Sequence, residues 1–375
     1  MNKLPDGWQE KKLKDISDIT SSKRIYEWEY VSSGIPFYRG KEITALKSKQ
    51  KIDDFIYISE ARYNELKEKY GVPNKGDILI TAVGTIGNAY TIENSKPFYF
   101  KDGNLLWVKN IKEHPKFLEY LFENNKKLFL GNSFGSSQHA LTISKLENLS
   151  FYFPPLDEQK RIASTLSKID AYLENTIKLI EEKERFKKGI VKKLFNKEIR
   201  FKEFNDEWET VRLGDMFYNF IERNNEDKII LASTRDKGVI PHNLTERKII
   251  RKKESLSNYK LVNKGCFVIS LMSFQGGFEY SDYEGIISPA YTVLKPKIEM
   301  VHYFYKYYFK SYKFIKDLRP YAEGIRHGKQ IKFNACKDIL VPYPSIKEQE
   351  DIGKFLSLLD AEIDNLKEQK EEIKK

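Results

Sequence analysis

Phe153-Pro154-Pro155-Leu156-Asp157-Glu158-Gln159 returns later in the same chain as Tyr343-Pro344-Ser345-Ile346-Lys347-Glu348-Gln349. The register then holds through Ile162/Ile352, Leu166/Leu356, Ser167/Ser357, Asp170/Asp360 and Ala171/Ala361, at a constant offset of 190. Upstream, Gly7-Trp8 with Leu13 and Asp15 matches Glu207-Trp208 with Leu213 and Asp215 at an offset of 200. Lys75-Gly76-Asp77-Ile78-Leu79-Ile80 matches Lys264-Gly265-Cys266-Phe267-Val268-Ile269 at 189. Similar offsets in one order mark a duplicated unit with small insertions, so the two halves are expected to share a fold.

Each copy of the motif opens a helix. Its prolines end the preceding strand and suit a first helical turn, and Asp157-Glu158 or Glu348 put acids where the helix dipole favours them. Ile162, Leu166, Ile169 and Leu173 step by four and three, and Ile177, Ile180, Ile190 and Leu194 carry the apolar stripe onward among lysines and glutamates. Ile352, Leu356, Leu359, Ile363, Leu366 and Ile373 repeat it. Such stripes pack helix on helix. The regions before them, about Leu4 to Phe153 and Glu203 to Tyr343, are rich in β-branched and aromatic residues broken by glycine turns, as in Ile78 to Tyr90 and Phe267 to Phe278. Helical spacing appears at Ser59 to Tyr70, Pro115 to Leu130 and Met300 to Leu318.

The expected organisation is an α+β chain: two homologous α/β domains, over 1–153 and 203–343, separated by two long helices within 154–202 and 344–375. The first helix leaves domain one and enters domain two, whereas the second leaves domain two. Burying both stripes together therefore makes the pair antiparallel and coiled-coil-like, and the whole pseudo-twofold. A helix from Asp157 to Phe195 would be about 58 Å long, enough to hold two heads more than one DNA turn of about 34 Å apart.

The bulk numbers agree with that plan. At 375 residues the chain is long enough for two or three cores, and 40% hydrophobic with 14% aromatic residues can fill them. Sixty-five Lys and Arg against 54 Asp and Glu give +11, which favours a polyanionic partner. No stretch approaches the roughly 18 to 20 apolar residues of a membrane span, and Met1 to Glu10 lacks the apolar core of a signal peptide, so a cytoplasmic protein without a membrane partner is expected. Cys266 and Cys336 are the only cysteines, with no CxxC pair and five histidines, which supports neither a disulfide framework nor a zinc site.

The plan resembles the specificity subunits of type I restriction-modification systems, and it does so over nearly the whole chain. The marks are Pro155-Leu156-Asp157-Glu158-Gln159 and Ser345-Ile346-Lys347-Glu348-Gln349 at the helix starts, Lys193-Leu194-Phe195 followed by Ile199-Arg200-Phe201 at the first helix's exit, and Trp208-Glu209 with Leu213-Gly214-Asp215 entering the second domain. The resemblance implies that the two α/β domains are target-recognition domains and that the chain works in a phage-defence complex on double-stranded DNA. In it one specificity subunit is clasped by two methyltransferase subunits that use S-adenosylmethionine, and restriction motor-nuclease subunits join for cleavage. The cofactors, S-adenosylmethionine, ATP and magnesium, would then sit on those partners. Docking would fall on the exposed helix faces, where clusters such as Lys183 to Arg185 and Lys187-Lys188 are otherwise solvated charge. One departure stands out: the second helix ends at Lys375, equivalent to Arg185, and lacks the counterpart of Ile190 to Phe201. Either a natively short or a truncated chain would account for it.

Catalytic chemistry is not expected of this chain. The proline pair in Phe153-Pro154-Pro155-Leu156 lacks the polar residue and the aromatic of an amino-methyltransferase motif. Gly324-Ile325-Arg326-His327-Gly328-Lys329-Gln330 is one residue short of a phosphate loop and has Gln where Ser or Thr belongs. Pro5-Asp6 with Glu10-Lys11-Lys12 only imitates a nuclease string, since its carboxylates are too close to lie on adjoining strands. His139 and His327 have no partner acid pattern for a general base. DNA reading, by contrast, needs loops bearing residues that fork onto base edges or hold phosphates. In the first half these are Tyr38-Arg39-Gly40-Lys41, Gly84-Thr85 and Gly135-Ser136-Ser137-Gln138-His139. In the second they are Thr234-Arg235-Asp236-Lys237, Ser273-Phe274-Gln275 and Arg326-His327-Gly328-Lys329-Gln330. The rival expectation is a non-enzymatic scaffold or adaptor that binds protein or RNA; it predicts no bipartite enrichment from a duplex library.

Overall fold

Short runs of Ile, Leu, Val and Phe build the centre of both halves. The computed structural model describes residues 5–52, 54–130, 140–245, 256–270, 276–323 and 330–374. Its contacts divide the chain into two units, Met1–Tyr172 and Leu173–Lys375.

Unit 1 contains β1 (Gln9–Lys12), β2 (Asp18–Thr20), β3 (Ile35–Tyr38), β4 (Ile78–Thr81), β5 (Ala89–Thr91), β6 (Leu105–Lys109) and β7 (Ser150–Phe153). Its helices include α1 (Gly40–Lys47), α2 (Glu60–Tyr70) and α3 (Pro115–Asn124), and α4 (Leu156–Phe195) begins in it. The central sheet runs β2-β6-β4-β5, every pair antiparallel, with Ile19 opposite Val108, Val108 opposite Ile78, and Ile78 opposite Thr91. β1 and β7 pair antiparallel from Gln9↔Phe153 to Lys12↔Ser150, which ties the start of the unit to the strand that feeds α4.

Unit 2 repeats this. Its strands are β8 (Glu209–Arg212), β9 (Phe217–Phe220), β10 (Leu231–Thr234), β11 (Gly238–Pro241), β12 (Phe267–Ile269), β13 (Glu279–Tyr280), β14 (Thr292–Pro296) and β15 (Leu340–Tyr343). Its helices include α5 (His302–Tyr308), α6 (Tyr312–Leu318) and α7 (Ile346–Ile373). The sheet order β9-β14-β12-β13 is again all antiparallel, with Asn219 opposite Leu294, Leu294 opposite Phe267, and Phe267 opposite Tyr280. β8 and β15 pair from Glu209↔Tyr343 to Arg212↔Leu340, position for position with β1 and β7. The expected duplication is thus present as identical strand order and register.

The halves differ outside that sheet. In unit 1, β3 joins a second four-stranded sheet with Tyr30–Val31, Ile56–Ile58 and Tyr99–Phe100, and runs parallel to the last. In unit 2 that place is taken by the β10-β11 hairpin and a pair formed by Lys260–Val262 and Gly285–Ile287. Two long helical patches also prove to be broken. Pro115 to Leu130 is interrupted at Asn125, and Met300 to Leu318 at residues 309–311, where Ser311 caps α6 by accepting the Phe314 N–H.

The Gln of the repeated motif is a buried joint. Gln349 accepts the N–H of Val301 at 2.9 Å and donates to the Pro344 carbonyl at 2.8 Å, fastening the start of α7 to the start of α5. Gln159 does the same with the N–H of His114 and the carbonyl of Pro154, both at 2.9 Å, and adds a bond to Glu113 at 2.6 Å. About three turns further along the long helices, Tyr120 donates to Asp170 and Tyr307 to Asp360, at 2.5 and 2.7 Å. The neighbouring Glu348 is buried, accepts from Arg200 Nε at 2.9 Å and Nη2 at 2.7 Å, and also accepts a hydrogen bond from Trp208 Nε1 at 2.9 Å. This clamp explains why Ile199-Arg200-Phe201 and Trp208 accompany the motif.

Within unit 2 the two long helices pack antiparallel. Their charge pairs descend along α7 as they climb α4: Glu184 with Lys367 at 2.7 Å, Lys187 with Asp360, and then Arg200, just past α4, with Glu348. Beneath them Leu194 and Phe195 share one apolar cluster with Ile352, Leu356 and Leu359. Burial along the α4 stripe is uneven, however. Ile180, Leu194 and Phe195 are buried, while Ile169 and Ile177 stay 43% and 38% exposed, because a helical stripe is covered only where another surface lies opposite it.

Candidate nucleic-acid interface

The expected loops of unit 1 grow from one corner of its sheet. Thr85 is an exposed residue of the β4–β5 turn, whose Gly84 and Gly87 have φ of +71° and +83°. Beside that turn, Ala82 accepts the N–H of Leu141 at 2.8 Å, so the turn and the segment bearing Ser136, Ser137, Gln138 and His139 have adjacent roots. Those four residues themselves lie outside the described residues. α1 sits at the same corner: the Asn88 amide donates to Thr44 Oγ1 at 3.2 Å, its backbone N–H donates to Thr81 Oγ1 at 3.0 Å, and its Oδ1 accepts from Lys126 at 2.8 Å. Lys47 ends α1 against Glu123, and burial together with the nearby Lys126 lowers its amine to about 8.

The residues of the Tyr38–Lys41 loop divide into half-buried supports and an exposed lysine. Tyr38 is half-buried and stacks on Phe98 at 4.6 Å between centroids. Arg39 stands at the N-cap of α1, where its backbone N–H donates to the buried Glu42 at 2.8 Å and its Nη2 meets Oε1 at 2.8 Å, a side-chain bond that raises its pKa. Lys41 is 56% exposed and pairs with Glu42 at 3.6 Å and with Asp54 at 3.8 Å. Lys41 and Thr85 therefore present polar atoms to solvent, while Tyr38 and Arg39 shape the loop.

Unit 2 gathers its loops in the same manner. Arg235 and Lys237 are exposed in the β10–β11 hairpin turn, which Thr234 closes by donating to the Gly238 carbonyl at 2.8 Å and accepting the Lys237 N–H at 3.1 Å. Lys310 reaches under the turn, giving one bond to the Arg235 carbonyl at 2.9 Å and another to the buried Glu279. Burial lowers Lys310 and raises Glu279 to about 7, even though the two are paired. A Cβ at Gly276 would meet Arg235 Cγ at 3.3 Å, which places the hairpin beside the end of the segment that carries Ser273 and Gln275. Ser270, before that segment, and Ile331, after the one with Arg326, His327 and Lys329, line one cavity. Ser273, Gln275, Arg326, His327 and Lys329 lie outside the described residues; Gln330 is described by its backbone, which pairs with Glu323.

Sequence reasoning did not single out Lys310 and Glu279. Their partners are 31 and 75 residues from Lys310 in sequence, so no local pattern announces them. Both cysteines are buried and free. Among the described residues no group of His, Cys, Asp or Glu is placed to hold a metal, and no helix is long and apolar enough to cross a membrane.

Comparison with known proteins converges on one group. The profile of the type I restriction modification DNA specificity domain matches twice, over residues 5–182 and 205–375. A type I restriction enzyme specificity subunit from Methanocaldococcus jannaschii is 26% identical over 400 aligned positions, spanning 100% of this chain and 92% of the relative. One from Haemophilus influenzae is 36% identical over 170 positions, 44% of this chain and 40% of its own. Among solved structures, the type I restriction-modification S subunit from M. genitalium shares the fold with a TM-score of 0.60 at 18% identity, over 99% of this chain and 95% of that one. The HsdS subunit from Thermoanaerobacter tengcongensis does so with a TM-score of 0.51 at 16% identity and the same coverage.

Proposed function

The chain belongs to the type I restriction modification DNA specificity family, whose members are non-catalytic recognition subunits, and on that premise we propose that it reads a bipartite DNA target, one half-site per unit. The observation that carries this reading is the repetition of one sheet, in one register, with polar loops rooted at its corner in both units. Lys41 and Thr85 in unit 1, and Arg235 and Lys237 in unit 2, supply exposed donors of the kind that hold phosphates or read base edges. Ser136 to His139, Ser273, Gln275, and Arg326 to Gln330 complete the two sets by sequence. The spacer between half-sites goes unread because base contacts specify only where a loop enters a groove. Tyr38 and Arg39 act indirectly, by holding the first loop.

Two methyltransferase subunits dock on exposed faces of the long helices, and motor-nuclease subunits join them for restriction in the cytoplasm. S-adenosylmethionine, ATP and magnesium belong to those subunits, and this chain contributes the address. The test is selection from a random duplex library, with and without methyltransferase subunits, alongside methylome sequencing of a host with and without the gene. A split asymmetric motif should be enriched and should vanish from the methylome on deletion. Failure to enrich any split motif in either format overturns the reading and leaves a scaffold for protein or RNA.

A further inference from the structure

The common register of the two central sheets lets their positions be compared one for one. Val108 and Leu294 are equivalent, each lying between an outer and an inner strand, so Ile19 corresponds to Asn219 and Leu106 to Thr292. The constant offset of 190 in the following segment makes Leu141 equivalent to Ile331 and Ile143 to Phe333.

In unit 1 this corner is closed core. Ile19, Leu106 and Leu141 are 9%, 4% and 2% exposed, and Ile143 packs on them. In unit 2 the same corner holds an amide and a hydroxyl in place of two aliphatic side chains, and it is open as a cavity of about 320 Å³. Asn219, Ser270, Thr292, Lys332, Phe333 and Asn334 are among its lining. That size lies at the low end of small-molecule pockets, roughly 300 to 1,000 Å³. The fold does not require the cavity, since the twin fills it, and opening it forgoes apolar burial that the twin keeps. A polar cavity at a place where the fold works better without one points to a ligand.

Its chemistry and position identify the class. Two carboxamides can each donate and accept, the pairing that reads a base edge, and Phe333 with Ile269 and Ile331 offers apolar surface for a flat ring. The cavity also lies between the root of the segment bearing Ser273 and Gln275 and the root of that bearing Arg326 to Gln330. On the DNA reading proposed above, a duplex bound by unit 2 beside these roots passes its mouth. A base still paired in the duplex cannot enter, but an unstacked one can. Resting on the DNA reading above, we infer that this cavity is a nucleobase pocket, belonging to unit 2 alone, that takes one unstacked base of the bound DNA.

The test uses the full chain and four labelled single-stranded homohexamers, of dA, dC, dG and dT, read by fluorescence anisotropy. One hexamer should bind about tenfold more tightly than the least favoured, the discrimination of one bidentate base contact. Asn219→Ile with Thr292→Leu installs the residues of the twin. It should erase that preference while leaving Tm equal or higher, because the corner closes as in unit 1. Asn219→Asp, which keeps the size but changes the hydrogen-bonding edge, should shift the preferred base and serves if the double variant does not fold. Equal binding of the four hexamers, an unaltered preference in both variants, or displacement of the preferred hexamer by millimolar inorganic phosphate overturns the pocket. Library selection by the wild-type chain tests DNA reading separately: a split motif enriched while the hexamers bind alike refutes the pocket and spares the function.

Discussion

Replacing Gln349 with leucine tests whether the repeated motif is a structural joint. The side chain is fully buried, accepts one backbone N–H at 2.9 Å and satisfies one backbone carbonyl at 2.8 Å. Leucine fills a similar volume but leaves the part-buried Val301 N–H and the buried Pro344 carbonyl without partners. Each orphaned group costs about 1–3 kcal/mol, hence about 2–6 kcal/mol for the two. Added apolar burial returns about 1–2 kcal/mol, so the net loss should be near 3 kcal/mol and confined to unit 2. Labelling the four tryptophans with 5-fluorotryptophan separates the units in a urea titration, since Trp208 reports unit 2 while Trp8, Trp28 and Trp107 report unit 1. Gln159→Leu should reverse the pattern, with a larger loss because Gln159 also bonds Glu113. A loss below about 1 kcal/mol in Gln349→Leu, or an equal shift of all four signals, would refute the reasoning.

Three further outcomes are expected. Gly277→Ala would set a Cβ 1.7 Å from the Phe309 carbonyl oxygen at a φ of +75° and should abolish soluble expression; Gly84→Ala, at +71° with nothing within 4 Å, should express and lose only about 1–2 kcal/mol by thermal melting. Burial raises the Glu279 carboxyl from 4.5 to about 7, so folded unit 2 holds that proton more tightly than the unfolded chain. Its contribution is complete below about 4.5 and is lost as pH rises through about 7; comparing urea midpoints at several pH values, Glu279→Gln should remove this part of the slope. Arg326→Ala should weaken binding of cognate duplex more than random duplex, by about 1–3 kcal/mol, in parallel titrations; equal loss on both would reassign it to phosphate.

The duplication, the helix starts and the pairing of the two stripes were legible in the sequence, because they are written in local spacing: a fixed offset, a proline before an acid, apolar residues three and four apart. From these follow the twin sheets and the antiparallel helices of unit 2. The loops were legible as composition, as Gly, Arg, Lys, Ser and Thr between strands. Their roles were not. Arg39 and Arg235 look alike in sequence, yet one is folded onto Glu42 while the other is exposed above Lys310. Gln349 reads as one more polar residue at a helix start until the N–H of Val301, 48 positions away, is brought to it. Asn219 looks like an ordinary strand residue; the offset of 200 pairs it with Ile19, but only the folded chain shows Ile19 buried in one unit and Asn219 lining a cavity in the other. Local periodicity determines which elements form and which face is apolar. The partner of each polar group depends on which distant backbone positions close packing brings within about 3 Å, and only the folded chain decides that.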